Sequence, residues 1–247
     1  MNTPSISIIT LTYNSSKTIS RCVRSLEVQT DQNFEHIVKD NQSTDNTLEL
    51  VVSNKLQTQN IISQPDTGIY DGLNQAIAMA TNDVIGILHS DDIFMHETIA
   101  TVRQFFANNP SVSILCGAMV FTNDKTTHLI KPSLRNIRNR MTVNHTAMFV
   151  RKKIYQKKKY DTAYQIASDY KFILDCYQEN INVALIDDVL TIMYSGGKSA
   201  DSNTSINEVY QIQKELGNRI NAQKNMILNK GRRLIKNMDL NSKGLKP

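Results

Sequence analysis

Residues 66–92 read DTGIYDGLNQAIAMATNDVIGILHSDD, with carboxylates around a glycine turn at one end and two adjacent carboxylates at the mouth of an apolar run at the other. Leu73, Ala76, Ile77 and Ala80 share one helical face, which predicts a helix over Gly72 to Ala80. Val84 to His89 then reads as a buried strand. Helix followed by strand, with polar residues where the strand stops, is part of a βαβ unit.

Upstream the same alternation repeats. Ile6 to Tyr13 is a strand, followed by Asn14, Ser15 and Ser16 as possible helix caps and by a helix whose stripe is Ile19, Cys22, Val23 and Leu26. His36 to Asp40 reads as a second strand, Thr47 to Lys55 as a helix and Asn60 to Ser63 as a third strand. Such alternation predicts an α/β fold, a mostly parallel sheet flanked by helices, with ligands beyond the carboxyl ends of the strands. Those ends are "TYN" (12–14), "KDNQSTD" (39–45), "QPDTGIYDG" (64–72) and "HSDD" (89–92), all polar or acidic. No GxGxxG follows the first strand and no GxxxxGK[ST] occurs, which excludes a dinucleotide fingerprint and a P-loop. A diphosphate beside carboxylates needs a bridging hard cation, Mn²⁺ or Mg²⁺. In an extended chain Asp91 and Asp92 point to opposite sides, so one can hold metal while the other meets a ribose hydroxyl. Alone, the pair reads equally as a solvated turn or a helix N-cap.

The 247 residues, 40% of them hydrophobic, suffice for one large domain or two small lobes around a sizeable core. Three widely spaced cysteines, Cys22, Cys116 and Cys176, form no disulfide framework or zinc pattern and point to a reducing cytosol. With no signal-like start and no run of roughly 18 apolar residues, a soluble protein is expected. From Asp201 onward nine Lys or Arg face four acids, so this segment alone equals the net charge of +5. It reads as a solvated basic tail, or as one that meets anionic lipid headgroups or nucleic acid.

Four stretches, "ISIITLTYNSSKTISRCVRSLEVQT", "HIVKDNQSTDNT", "QPDTGIYDGLNQAIAMATNDVIGILHSDD" and "NHTAMFVRK", stand in an order and spacing that resemble the family 2 inverting glycosyltransferases of GT-A fold. The resemblance covers residues 5 to about 200, and its middle motif is Gly68 to Asn74. It implies that Asp40 recognises the uracil or other base edge, flanked by Thr12 and Tyr13. Asp66 then lies near base and ribose, with Gly68 allowing close backbone approach. Ser90, Asp91 and Asp92 take the place of the family's DXD signature, Asp92 as direct metal ligand and Asp91 on the nucleotide. His145 matches a position near the diphosphate, able to ligate metal or phosphate, although a His opening an apolar strand also suits a structural role. His89 departs from the Asn or Asp more usual there. Asn74 and Asp71 orient sugar or phosphate, or cap the helix behind them.

In "ASDYKFILDCY" the family pattern makes Asp169 the base that takes the acceptor hydroxyl's proton. The residue is equally a first-turn acid favoured by the helix dipole, with Ser168 as cap. "YSGGKS" (194–199) resembles a glycine-bearing loop that closes over donor, with Lys198 on phosphate.

The reading is a GT-A domain over 1–200, with a nucleotide-sugar half (1–93) and an acceptor half (94–200), followed by a basic helical extension (201–247). Its expected activity is metal-dependent, inverting transfer from a nucleotide-sugar, UDP-linked by resemblance, to a saccharide or lipid-linked saccharide in cell-surface polysaccharide synthesis. The protein is expected in the cytoplasm, with peripheral membrane contact through the tail and no nucleic-acid partner. A nucleotidyltransferase acting on a sugar phosphate would need a glycine-rich, basic first loop, which "TLTYNSSKT" is not. The third alternative is a non-catalytic module that binds nucleotide-sugar or glycan.

Overall fold

Strand β1 (Ile6–Thr12) is buried along nearly its whole length, as a strand covered by helices on both faces must be. In the computed structural model, which describes residues 3–196 except 55, 57, 58 and 124, together with 202–216, 223 and 226–228, β1 is central to the first half. It pairs in parallel with β2 (Phe34–Asp40) on one side and β4 (Val84–Ile87) on the other, and β3 (Gln59–Ser63) extends the sheet in parallel beyond β2. Helices α1 (Ile19–Glu27), α2 (Thr47–Val52) and α3 (Ile69–Met79) make the connections.

The second half runs through β5 (Ile93–Phe94), α4 (Thr98–Asn108), β6 (Ile114–Thr122), β7 (Thr127–Ile130), β8 (Met148–Arg151), α5 (Lys152–Tyr155), α6 (Ser168–Gln178), β9 (Val183–Tyr194) and α7 (Ser202–Glu215). The sheet order is β3-β2-β1-β4-β8-β6-β9-β5, with β7 on β6. Here the pairing changes character: β8 is antiparallel to both β4 and β6, while β6 and β9 are parallel. The α/β class stands. Parallel order describes the first half, and the second is mixed.

Ile8 packs on the sheet face that carries α1 and α4, and Ile9 on the face that carries α3 and α6. Fully burying each such side chain contributes roughly 1.5–3 kcal/mol. The two halves join at Gly86 of β4 and Phe149 of β8, where a Cβ on the glycine would stand 2.4 Å from the Phe149 ring.

Two features around the helix starts differ from expectation, each for a local reason. Helix α3 begins at Ile69 rather than Gly72, because Gly68 takes φ +147 and Asp71 Oδ2 accepts both the N–H and the hydroxyl of Thr67 at 2.9 and 3.1 Å. Gly72 therefore lies inside the helix, where a Cβ would come within 2.9 Å of Asp66 Oδ2. Asn14, Ser15 and Ser16 do not cap α1, which starts at Ile19 without a side-chain cap. They fasten the β1–α1 loop to the β2–α2 loop instead. Asn14 Oδ1 accepts the Thr44 N–H at 2.9 Å, and the Ser15 and Ser16 amides donate to Thr47 Oγ1 at 2.7 Å and Asp45 Oδ2 at 3.1 Å.

Helix α7 packs against α6 and the segment before it. Ile212 of α7 is fully buried among Ala167, Tyr170 and Leu174. Among the described residues no helix is long and apolar enough to cross a membrane.

Candidate active site

A cleft of about 460 Å³ opens where β1, β2 and β4 end. Thr12, Tyr13 and Asn14 form one wall, Lys39, Asn41 and Asp66 the floor, and Ser90, Asp91 and Asp92 the lip. His89, His145, Tyr70 and Ile166 face them across the gap.

The floor depends on a residue that the motif reading passed over. Lys39 is buried, and its ammonium donates to Gln64 O at 2.7 Å, Asp66 Oδ2 at 2.9 Å and Asp40 O at 3.3 Å. A buried ammonium is tolerated only with its donors satisfied, and these contacts fold the Gln64–Asp66 segment over the end of β2. Asn41 completes the fixation by accepting the Asp66 N–H at 2.8 Å. A lysine at the end of the apolar run "HIVKD" was the available signal.

Asp40, read as the base-edge contact, is turned elsewhere. It is fully buried, its Oδ2 accepts from Ser43 N at 2.9 Å and Ser63 Oγ at 2.7 Å, and its Oδ1 accepts from Ser43 Oγ at 2.5 Å. It stabilises the β2–α2 turn and does not line the cleft. Asn74 is likewise outside it: its side chain clasps the backbone of Tyr160, donating to the carbonyl at 2.8 Å and accepting from the amide at 3.0 Å. Gly68 serves as the N-cap of α3. Thr12 lies in the cleft as expected, and its Oγ1 is buried with no hydrogen-bond partner. That is an exception a ligand group would resolve.

The acidic lip is held from two sides. Ser90 Oγ donates to Ser15 Oγ at 2.9 Å, and Arg21 donates to Asp91 O at 2.6 Å while stacking 3.7 Å over the Tyr194 ring. Tyr194 in turn donates its amide to Asp92 Oδ1 at 3.1 Å. Burial, and then the charge of Asp91, pushes Asp92 up to about 7. Adjacent carboxylates strained in this way suit a divalent cation, whose charge relieves both desolvation and repulsion. Among the described residues no three His, Cys, Asp or Glu side chains converge as a metal cage. The donor set fits a hard ion held by one or two carboxylates, with phosphate oxygens and water completing its shell.

His145, read as able to ligate metal or phosphate, turns its ring to other partners in this structure. Its Nδ1 is 2.6 Å from Asp169 Oδ2 and its Nε2 is 2.6 Å from His89 Nε2, so both ring nitrogens are engaged. Burial alone would lower its pKa, but the charge and hydrogen bond of Asp169 outweigh burial and raise it. His89 is driven down to about 3 by burial, then by the charge of His145. The consistent protonation pattern is an imidazolium at His145, donating to the carboxylate and to a neutral His89.

Asp169 stands in the first turn of α6, immediately behind the cleft wall. Its Oδ1 accepts from Tyr170 N at 2.8 Å and Tyr70 OH at 3.1 Å. Burial pushes its pKa up, yet His145 and these donors hold it below the usual carboxylate range. Ser168 is not the helix cap; its Oγ accepts the Asp161 N–H at 2.6 Å. Of "YSGGKS", Gly196 lines the cleft, while Lys198 lies outside the described residues, as does most of the basic segment after 216.

A cleft over parallel strand ends with an acidic lip, on a sheet that turns from parallel to mixed, is the architecture of the GT-A glycosyltransferase fold. The pattern of Glycosyl transferase family 2 matches residues 7–174, and the chain belongs to that family. It is 26% identical over 206 residues to a PGL/p-HBAD biosynthesis glycosyltransferase of Mycobacterium bovis, covering 81% of this chain and 80% of the relative. Residues 1–349 of S. aureus TarS, solved with UDP-GlcNAc, superpose with a TM-score of 0.69 at 22% identity, over 84% of this chain and 64% of TarS 1–349. A Pyrobaculum calidifontis mannosyltransferase solved with GDP-Man and Mn²⁺ gives a TM-score of 0.67 at 16% identity, over 86% of this chain and 64% of that one. The chain thus spans just under two thirds of TarS 1–349 and of the mannosyltransferase chain, and 43% of the longer TarS chain.

Proposed function

We propose that this protein is an inverting glycosyltransferase that moves a sugar from a nucleoside-diphosphate donor, UDP-linked, to the hydroxyl of a lipid-linked saccharide in cell-surface polysaccharide assembly. The observation that carries this reading is the Asp91–Asp92 lip sharing one cleft with His145, which is backed at 2.6 Å by Asp169 just behind the wall. The base-edge role falls to the floor rather than to Asp40. Asp66, paired with Lys39 at 2.9 Å, presents acceptors to a ring N–H, and Thr12 Oγ1 offers an unmatched hydroxyl. Recognition of uridine draws support from TarS, which was solved with UDP-GlcNAc.

Mn²⁺ or Mg²⁺, held by Asp92 with Asp91, would supply charge stabilisation to the leaving diphosphate. The acceptor oxygen attacks the anomeric carbon from the side opposite the diphosphate, the bond to the diphosphate breaks, and the hydroxyl proton passes to the Asp169–His145 pair. Oδ1 of Asp169 is filled by Tyr70 and Tyr170, so Oδ2, shared with His145, is the oxygen open to that proton. Titration belongs to the pair rather than to either residue. No covalent sugar intermediate is required. A lipid-linked acceptor assigns the work to the cytoplasmic face of the membrane, with the basic segment from 201 onward as a peripheral contact.

Thermal stabilisation by a panel of nucleoside diphosphates and nucleotide-sugars, with and without Mn²⁺, tests the donor side. A metal-dependent rise for uridine nucleotides, lost in Asp92→Ala, is expected. Absence of a shift with every nucleotide would remove the donor assignment.

A further inference from the structure

Helix α6 has no side-chain cap of its own, although the first amides of a helix have no partners inside it. The group that meets the amides at this end comes from 41 to 43 residues further along the chain. Glu208, on α7, accepts the Gln165 N–H through Oε1 at 2.7 Å, and the Ile166 and Ala167 N–H groups through Oε2 at 2.9 and 2.8 Å. Three donors on one carboxylate form a strong, charge-assisted clasp.

The clasped strip is part of the active site. Gln165 and Ile166 line the cleft, and Asp169 follows within one turn. The Ile166 peptide is gripped from both sides, its N–H by Glu208 and its carbonyl by the Tyr70 hydroxyl at 2.5 Å. That hydroxyl also lies 3.1 Å from Asp169 Oδ1. Around this point α7 is secured by buried Ile212, by Gln213 Nε2 donating to Asn139 O at 2.6 Å, and by the Tyr164 hydroxyl donating to Glu215 at 2.8 Å.

We infer that Glu208 is a positioning residue: it fixes the acceptor wall at 165–167 and, through Ile166 and Tyr70, the orientation of Asp169, which makes α7 part of the active site. Without the carboxylate the three amides must turn toward water. The Ile166 carbonyl then leaves Tyr70, whose single hydroxyl proton is shared between that carbonyl at 2.5 Å and Asp169 Oδ1 at 3.1 Å, and the ring and carboxylate shift from the geometry that both contacts fix. The donor floor at Lys39, Asn41 and Asp66 shares none of these contacts and stays as it is. The inference rests on the transferase reading for its kinetic consequence but not for its structural one.

The test uses the full chain with Glu208→Ala and Glu208→Gln. Hydrogen exchange at the amides of 165–167 is measured alongside UDP affinity with Mn²⁺ and the kcat and KM for UDP release from UDP-GlcNAc. Expected in Glu208→Ala are exchange at least tenfold faster in this strip alone, kcat lower by tenfold or more, and UDP affinity and donor KM within twofold of the parent. Glu208→Gln, which keeps one acceptor oxygen, should fall between, and it carries the test if the alanine variant does not fold. Unchanged exchange, unchanged kcat, or losses of donor affinity equal to the loss of kcat would overturn the inference. If the parent neither binds nor turns over a nucleotide, the transferase reading fails, and exchange decides alone: faster exchange confined to 161–170 supports the clasp, and global or absent change overturns it.

Discussion

The two walls of the cleft are built differently. On the donor side, each residue sits within a few positions of a strand end, as Thr12, Lys39 and Asp91 do, and neighbouring loops are fastened to one another. On the acceptor side the contacts are distant in sequence: Tyr70 with Ile166 and Asp169, and His89 with His145. A parallel βα repeat places its functional groups by local rules, whereas an antiparallel insertion places them only once the whole sheet has closed. The donor wall should therefore tolerate changes across the cleft, and the acceptor wall should not.

The sharpest way to break this contrast is Asp169→Asn. Loss of a positioned base is expected to lower transfer by roughly 10²–10⁴-fold, with UDP-induced thermal stabilisation unchanged; an equal loss of UDP binding would show the walls to be one unit. Lys39→Met probes the other wall. Leaving the Asp66 carboxylate without its buried partner should cost about 3 kcal/mol in denaturant unfolding and weaken nucleotide binding as well. A stable variant with parental UDP affinity would deny Lys39 its place in the donor floor.

At the seam, Gly86→Ala drives a methyl into the Phe149 ring and should cost about 1–3 kcal/mol. Phe149→Leu in the same chain should recover part of that loss, and additivity of the two changes would mean that they do not share a site. The smallest effect concerns pH. Asp92 is raised to about 7, so its ionisation as pH climbs from about 4 toward 7 removes stability from the metal-free protein. A cation must displace that proton below the raised value. Mn²⁺ affinity should therefore be about tenfold weaker at pH 6 than at pH 8, measured by titration calorimetry, and Asp92→Asn should flatten the dependence.

The same contrast explains what could be read from the chain alone. Strand ends and helix stripes up to Asp92 follow from periods of two and 3.6 residues, and they lead directly to Thr12, Asp66, Ser90, Asp91 and Asp92 in one cleft. Side-chain direction at a strand end is less accessible: Asp40 and Lys39 are adjacent, and only the fold decides that the lysine and not the acid faces the cleft. His145 was legible as a site residue but not as the partner of Asp169 and His89, because no periodicity links positions 24 and 56 apart. Glu208 carried no local signal at all.

Strand β8 fills the gap between β4 and β6 with residues made long after β4 itself. During synthesis at about 5–20 residues per second, the open edge of β4 waits roughly 3–13 s for its partner, a row of unpaired amides and carbonyls beside a half-finished core. Such an edge invites pairing with other nascent chains. The arrangement that brings the acceptor residues into the cleft thus leaves the growing polypeptide dependent, for those seconds, on whatever in the cell shields a bare strand.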